Sequence, residues 1–262
     1  MAETPSLPSL QLFSLKGQNV LITGATKGIG AACAIALAQA GASICLVQRP
    51  GSTNLETYNT IAALGTTVKI VECDLADLET VKTVFQKALD ALGGDIHVLV
   101  NCAGIQKYAP AIAFGEQDWD AIFDVNLKAS WLLAQAAGKH MVPLRRGKII
   151  NVCSLLTFQG GAYVPAYAAA KGALGQLTKA LSNEWSKDNV QVNGIAPGCV
   201  DTDMTKNLTQ DPVMFKRCID RIPAGRWGKP EDFAGPVVFL ASKASQYVCG
   251  EVLVVDGGWL GR

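Results

Sequence analysis

The sequence predicts an α/β fold: a single doubly wound domain on a parallel seven-stranded sheet with helices on both faces. Two observations carry this. Short β-branched runs alternate with longer Ala- and Leu-rich segments along most of the 262 residues, and repeated strand–helix–strand units give parallel pairing with right-handed crossovers. Most of the short runs are also continuously apolar, as strands buried on both faces are.

In chain order the expected strands are 19–23 (NVLIT), 43–47 (SICLV), 67–72 (TVKIVE), 97–100 (HVLV), 147–153 (GKIINVC), 190–195 (VQVNGI) and 252–255 (VLVV). Helices are expected between them at 28–40, 54–64, 77–92, 117–141, 164–187, 211–220 and 230–241. The stretch at about 1–14 reads as a disordered or loosely attached extension, and 15–262 as one domain. Residues 203–227 break the rhythm. They are rich in basic side chains (Lys206, Lys216, Arg217, Arg221, Arg226) and follow the sixth strand. Ligands of such sheets bind at the C-terminal strand ends, so this segment is placed to cover a substrate.

Composition narrows the function. Hydrophobic residues make up 49% and charged ones 17%, which supplies a core and argues against disorder. A net charge of +1 gives no general attraction to nucleic acid or an anionic membrane. No apolar run reaches the 18 residues a spanning helix needs, and the N-terminus lacks the basic-then-apolar order of a secretory signal. The eight cysteines, at 33, 45, 73, 102, 153, 199, 218 and 249, include no C-x-x-C pair and mostly lie in apolar segments. They read as buried thiols of a reducing, cytoplasmic compartment, with no metal site. Two histidines, His97 and His140, leave little material for a His-based nucleophile triad.

The first strand runs straight into Gly24-Ala25-Thr26-Lys27-Gly28-Ile29-Gly30 and then into a helix. Glycines let the backbone turn and approach a pyrophosphate, and the helix start offers unpaired N–H groups and a positive dipole end. The loop therefore reads as a dinucleotide site. The second strand ends at Gln48-Arg49, where a carboxylate would select NAD and a cation would accommodate a 2′-phosphate. Two cations, Lys27 and Arg49, and no carboxylate there point to NADP, with NAD as the alternative. Asp74, after the third strand, is a candidate acceptor for the adenine amino group.

In VPAYAAAK, 164–171, a phenol and an ammonium stand four residues apart in a run of alanines. Ala favours helix, and residues four apart share a helix face. Tyr167 and Lys171 are therefore expected side by side. A cation about 5 Å from a phenol at an effective dielectric of about 20 favours phenolate by ~3 kcal/mol, or about two pK units. That would suit the phenol to acid–base work near neutral pH.

With TGATKGIG, Asn101-Cys102-Ala103-Gly104, Ser154 and Tyr167-x-x-x-Lys171, the chain resembles the short-chain dehydrogenase/reductase family over about 14–262. NCAG stands where that family commonly has NNAG. The resemblance implies a Rossmann-like fold and hydride transfer between a nicotinamide cofactor and a secondary alcohol or ketone. It implies Tyr167 as general acid in reduction and base in oxidation, and Lys171 as a ligand of the nicotinamide ribose. Ser154, 13 residues before Tyr167, would donate to the substrate oxygen, and Asn126 in DVNLKA would support a proton relay. Cofactor contacts are implied at Gly24, Thr26, Lys27, Gly28, Ile29, Gly30, Gln48, Arg49, Asp74, Leu75, Asn101, Ala103, Gly104, Tyr167, Lys171, Pro197, Gly198, Val200 and Thr202. Within the family, FQGG (158–161), NEW (183–185), RIPAGRWG (221–228) and VDGGW (255–259) resemble the group of 2-dehydro-3-deoxy-D-gluconate 5-dehydrogenases and 2-deoxy-D-gluconate 3-dehydrogenases. That implies a small polyhydroxylated or sugar-acid substrate, for whose acid group Lys107, Arg221 and Arg226 are the candidate cations. The family also implies a homotetramer or homodimer, and Leu174, Leu177, Leu181 and Trp185 read as core or subunit packing. Two alternatives stand beside this reading: a ketoreductase of bulkier polyketide-like or acyl-carrier ketones, and a non-enzymatic dinucleotide-binding sensor or scaffold.

Overall fold

Consecutive residues of a strand point to opposite faces of its sheet, and here both faces are covered. Val20 and Ile22 enter a core with Leu37, Ile44, Phe233 and Leu240. Leu21, between them, enters a second core with Val84, Phe85, Leu133 and Met141. The computed structural model describes residues 8–262. Residues 1–7 of the expected extension lie outside the described residues. In its remainder Ser9–Phe13 forms a 3-10 turn that buries none of its own residues, and the Phe13 ring lies 6.4 Å from that of Phe239.

The chain runs β1 (Asn19–Thr23), α1 (Gly28–Gln39), β2 (Ser43–Gln48), α2 (Glu56–Ala63), β3 (Val68–Glu72), α3 (Leu78–Ala91), β4 (Val98–Asn101), α4 (Glu116–Phe123) and α5 (Ala129–Leu144). It continues through β5 (Gly147–Val152), α6 (Pro165–Trp185), β6 (Val190–Pro197), α7 (Lys206–Thr209), α8 (Pro212–Ile219), α9 (Ala234–Ala241) and β7 (Val252–Val255). Among the described residues the sheet has seven strands in the order β3-β2-β1-β4-β5-β6-β7, paired in parallel throughout. This is the Rossmann-like order. The winding reverses between β1 and β4, and the crevice outside the C-terminal strand ends at such a switch point is where ligands bind.

Three expectations change in detail. The single helix expected at 117–141 is α4 and α5 joined by a π-helical turn, Asp124–Lys128. Tertiary bonds from Asn126 at its centre hold the widened turn open, which local propensity does not encode. The thiols are not uniformly buried: Cys33, Cys45, Cys73 and Cys153 are, whereas Cys102, Cys199 and Cys218 are half-buried and Cys249 is exposed on the turn before β7. Leu174 and Leu181 are 1% and 5% exposed, with the partly buried Leu177 and Trp185 packed beside them, so within the chain the first two are core and the other two keep some exposed surface.

The segment after β6 leaves the sheet through a pinch. Val200 pairs with Gly228 as an isolated parallel bridge, and Gly228 N–H donates to the Cys199 carbonyl. Between these ends stand α7 and α8. The Phe215 and Trp227 rings stack at 5.5 Å, and Arg226 holds Asp232 through two hydrogen bonds of 2.7 and 2.9 Å. No helix among the described residues is long and apolar enough to cross a membrane.

Candidate active site

The glycine loop is shaped by backbone contact. Gly24 takes φ +68°, and a Cβ there would lie 2.6 Å from Ala103 Cα. A Cβ on Gly30 would collide with the Gly24 carbonyl, so the first turn of α1 lies directly on the end of β1. Thr23 Oγ1 fixes the neighbouring loop by accepting from Cys102 N and Ala103 N, each at 3.1 Å. Lys27, the residue before α1, makes no side-chain capping bond, so the first-turn N–H groups of α1 face the crevice without a capping side chain. Among the described residues Gly28 meets only Thr202, whose Cγ2 would lie 3.4 Å from a Cβ. A pyrophosphate fits this cradle, both in shape and in the donors offered. Asn54, absent from the residues the sequence singled out, donates to the Thr26 carbonyl at 3.1 Å and pins the loop's outer edge.

At the far end of the crevice Gln48 is buried and Arg49 exposed. Arg49 forms no ion pair among the described residues, whereas Lys27 reaches across to Asp203 at 2.5 Å, and that contact holds the Asp203 carboxyl below its ordinary range. Of the two cations, Lys27 is thus paired and Arg49, among the described residues, is not. Glu72, level with Gln48 on β3, accepts from Gly51 N at 3.3 Å. This is a carboxylate near the strand edge that the linear sequence hid, because it belongs to the adjacent strand. Asp74 spends one carboxylate oxygen on Ala76 N in a local turn. Leu75 and Ile29 are partly buried against the two cores.

The middle of the crevice gathers the polar side chains at the ends of β4 and β5. Asn101 donates to Asn151 Oδ1 at 3.0 Å, and Asn151 donates to Thr178 Oγ1 at 2.9 Å. All three are buried. Asn126, fully buried, accepts from Ile105 N at 2.9 Å and donates to the Ile105 carbonyl at 2.8 Å. It therefore fixes the loop after β4 from the π turn. A Cβ on Gly104 would lie 2.8 Å from Asn126 Oδ1 and 3.8 Å from Lys171 Nζ, so Gly104 leaves the floor between them open. Gly198, after Pro197, packs so closely on Asp256 that a Cβ would meet its Cα at 2.6 Å.

Tyr167 and Lys171 share a face of α6, as their spacing predicts, and both are buried. Lys171 Nζ donates to the Val152 carbonyl at 2.6 Å and lies 5.7 Å from the Tyr167 ring centroid. The expectation that this cation pulls the phenol toward neutral pH is not met. Burial pushes the Tyr167 hydroxyl up to about 12, with the Ser154 hydroxyl beside it working in the opposite direction. Burial also lowers Lys171. The ammonium is bonded to a β5 carbonyl, and both groups have left water, which disfavours both charges. Ser154 caps the short turn Leu155–Thr157 by accepting from Leu156 N at 3.1 Å. Its own proton is turned to the Tyr167 oxygen, on the side facing the crevice. Asn126, Ser154, Tyr167 and Lys171 are thus brought to one wall. Tyr108 stands at its rim, where its phenol adds to the upward pressure on Tyr167.

A family model described as enoyl-(acyl carrier protein) reductase matches residues 24–260. The chain belongs to the short-chain dehydrogenase/reductase family. It is 49% identical over 256 residues to the 2-dehydro-3-deoxy-D-gluconate 5-dehydrogenase of Pseudoalteromonas atlantica, covering 97% of this chain and 100% of the relative. The enzyme so named from Escherichia coli is 42% identical, with 97% and 99% covered. Among solved structures, a gluconate 5-dehydrogenase from Burkholderia cenocepacia in complex with NADP and tartrate is 37% identical, with a TM-score of 0.92 and 97% and 100% covered. Membership in this family explains why a glycine cradle and a buried Tyr–Lys pair occur on one sheet edge.

Proposed function

We propose that this protein is an NADP(H)-linked oxidoreductase that interconverts a secondary alcohol and a ketone on a small sugar acid. The observation that carries this is the buried Tyr167–Lys171 pair, with Ser154 beside the phenol, on the wall next to the glycine cradle. The cofactor supplies or accepts the hydride when bound. The cradle of Gly24, Gly28 and Gly30 with the α1 N-terminus would hold its phosphates, Arg49 would meet the 2′-phosphate, joined by Lys27 on its release from Asp203, and Lys171 would hold the ribose nearest the reaction.

Tyr167 delivers the proton in reduction. A phenol held up to about 12 by burial stays protonated at neutral pH and is ready to donate. Ser154 donates a hydrogen bond to the substrate oxygen as negative charge grows there. Asn126 fixes the loop carrying Gly104 and Ile105, and Lys171 stands on the same helix face as the phenol. The sugar-acid assignment is supported by the relatives named for gluconate chemistry and by the basic α7–α8 segment, which we place as the substrate cover. Half of the thiols being buried, and none being joined to another, fits a cytoplasmic enzyme. Assembly as a homodimer or homotetramer belongs to the same reading, and exposed Trp119 stacked at 5.0 Å on Phe123 gives α4 apolar surface for it.

Tyr167→Phe tests the proposal. Turnover of keto sugar acids with NADPH is expected to fall at least about a hundredfold, the usual worth of a general acid, while the dissociation constant for NADPH changes little. Unchanged turnover overturns it.

A further inference from the structure

Three motifs far apart in the sequence meet at one point above the substrate wall. Arg221, from RIPAGRWG, lays its guanidinium over the Trp259 ring of VDGGW with 4.1 Å to the centroid. Gln159, from FQGG, turns its carbonyl oxygen to both: Arg221 Nη2 and Trp259 Nε1 each donate to it at 3.4 Å. The turn before Trp259 packs on the loop after Arg221 so tightly that a Cβ on Gly257 would lie 2.8 Å from Ile222 Cγ2.

The three cations open to a substrate acid group differ in what already holds them. Lys107 faces Asp118 at 3.6 Å, and Arg226 is held by both oxygens of Asp232. Arg221 is exposed and makes no ion pair among the described residues. Its neighbours are a ring face and a neutral carbonyl, which hold the planar fork without neutralising it. The nearby carboxylate of Asp256 is committed to Gly258 N and Leu260 N, at 2.7 and 2.8 Å. Arg221 also lies on the side of the reacting groups: Gln159, which it contacts, stands on the loop that leaves Ser154, where Gln159 N donates to the Leu155 carbonyl at 3.2 Å.

We infer that Arg221, stacked on Trp259 and steadied by Gln159, is the subsite for the substrate's carboxylate, so that the enzyme recognises an anionic polyol chain by its acid end. The inference rests on the function proposed above and names the residues that read the acid. A guanidinium matches a carboxylate through two parallel N–H···O bonds. Tyr167 and Ser154 then meet the far carbonyl of the same chain.

The test compares a keto sugar acid with its neutral amide in wild type, Arg221→Met and Arg221→Lys, with NADPH and Tyr167 unchanged. Arg221→Met is expected to raise KM for the acid about ten- to a hundredfold, as loss of a charge-assisted pair does, and to leave KM for the amide within about twofold. Arg221→Lys is expected to recover part of the acid's affinity, because the charge remains and the fork does not. Because Arg221 is exposed, thermal unfolding midpoints should agree among the three proteins, which separates the subsite from a folding defect. Equal losses on acid and amide overturn the subsite while leaving the oxidoreductase standing. Wild type turning over neither compound overturns the proposed function and the subsite together.

Discussion

In the proposed mechanism the phenol of Tyr167 carries the chemistry, and its surroundings set its pH behaviour. Its folded pKa of about 12 lies above the ordinary value of 10 because burial disfavours phenolate. The sign follows directly: the group is a proton donor throughout the neutral range, and the phenolate fraction grows about tenfold per pH unit below 12. Ketone reduction is therefore expected to be flat from about pH 6 to about pH 9, while alcohol oxidation climbs with pH over the same range. Steady-state rates in both directions at saturating cofactor check this, and an oxidation rate independent of pH would contradict it. The sequence foretold the neighbourhood of Tyr167 and Lys171 but not the sign of the shift. Spacing puts two side chains on a helix face; it says nothing of how much water reaches them, or of the Val152 carbonyl that accepts from the ammonium.

At the level of elements, the strands were legible because the inner ones are buried on both faces and mostly apolar, whereas the edge strands β3 and β7 expose residues. Helix limits were read less closely. The break between α4 and α5 arises from Asn126 bonding Ile105, which is 21 residues away in sequence, and no local pattern announces such a partner. The same holds for the polar chain linking β4, β5 and α6 through Asn101, Asn151 and Thr178. Thr178 also donates to the Leu174 carbonyl at 2.9 Å, so its hydroxyl is used in both senses. Thr178→Val keeps the shape and leaves Asn151 Nδ2 without its acceptor. The expected cost is about 1–3 kcal/mol, the penalty of an unsatisfied buried donor. Chemical denaturation reads it, and Thr178→Ser is expected to restore most of the stability. Glu72 and Asn54 were missed for a related reason. Glu72 reaches Gly51 from the neighbouring strand and Asn54 reaches Thr26 from the loop after β2, contacts that exist only once the strands are paired.

For the whole molecule, cofactor binding links to folding, because the cradle at Gly24, Gly28 and Gly30 exists only when β1, α1 and the loop after β4 are assembled. A ligand that binds only the folded state raises stability by RT ln(1 + [L]/Kd), about 2.7 kcal/mol at a hundredfold excess over Kd. If Arg49 meets a 2′-phosphate as proposed, NADPH is expected to raise the thermal midpoint more than NADH at equal concentration. Scanning fluorimetry reads the difference, and the reverse order would mean that Glu72 rather than the cations governs that edge. The arrangement of the sheet was legible as a class from the alternation of runs, and its reversal between β1 and β4 follows from the doubly wound pattern. That reversal also has a consequence during synthesis. As the nascent polypeptide leaves the ribosome, β1, β2 and β3 can pair first, yet one flank of β1 stays bare until Val98–Asn101 emerges to zip against it. A truncation anywhere between β3 and β4 therefore leaves a sticky margin of central strand, and the half-made product is a client for chaperones rather than a smaller working unit.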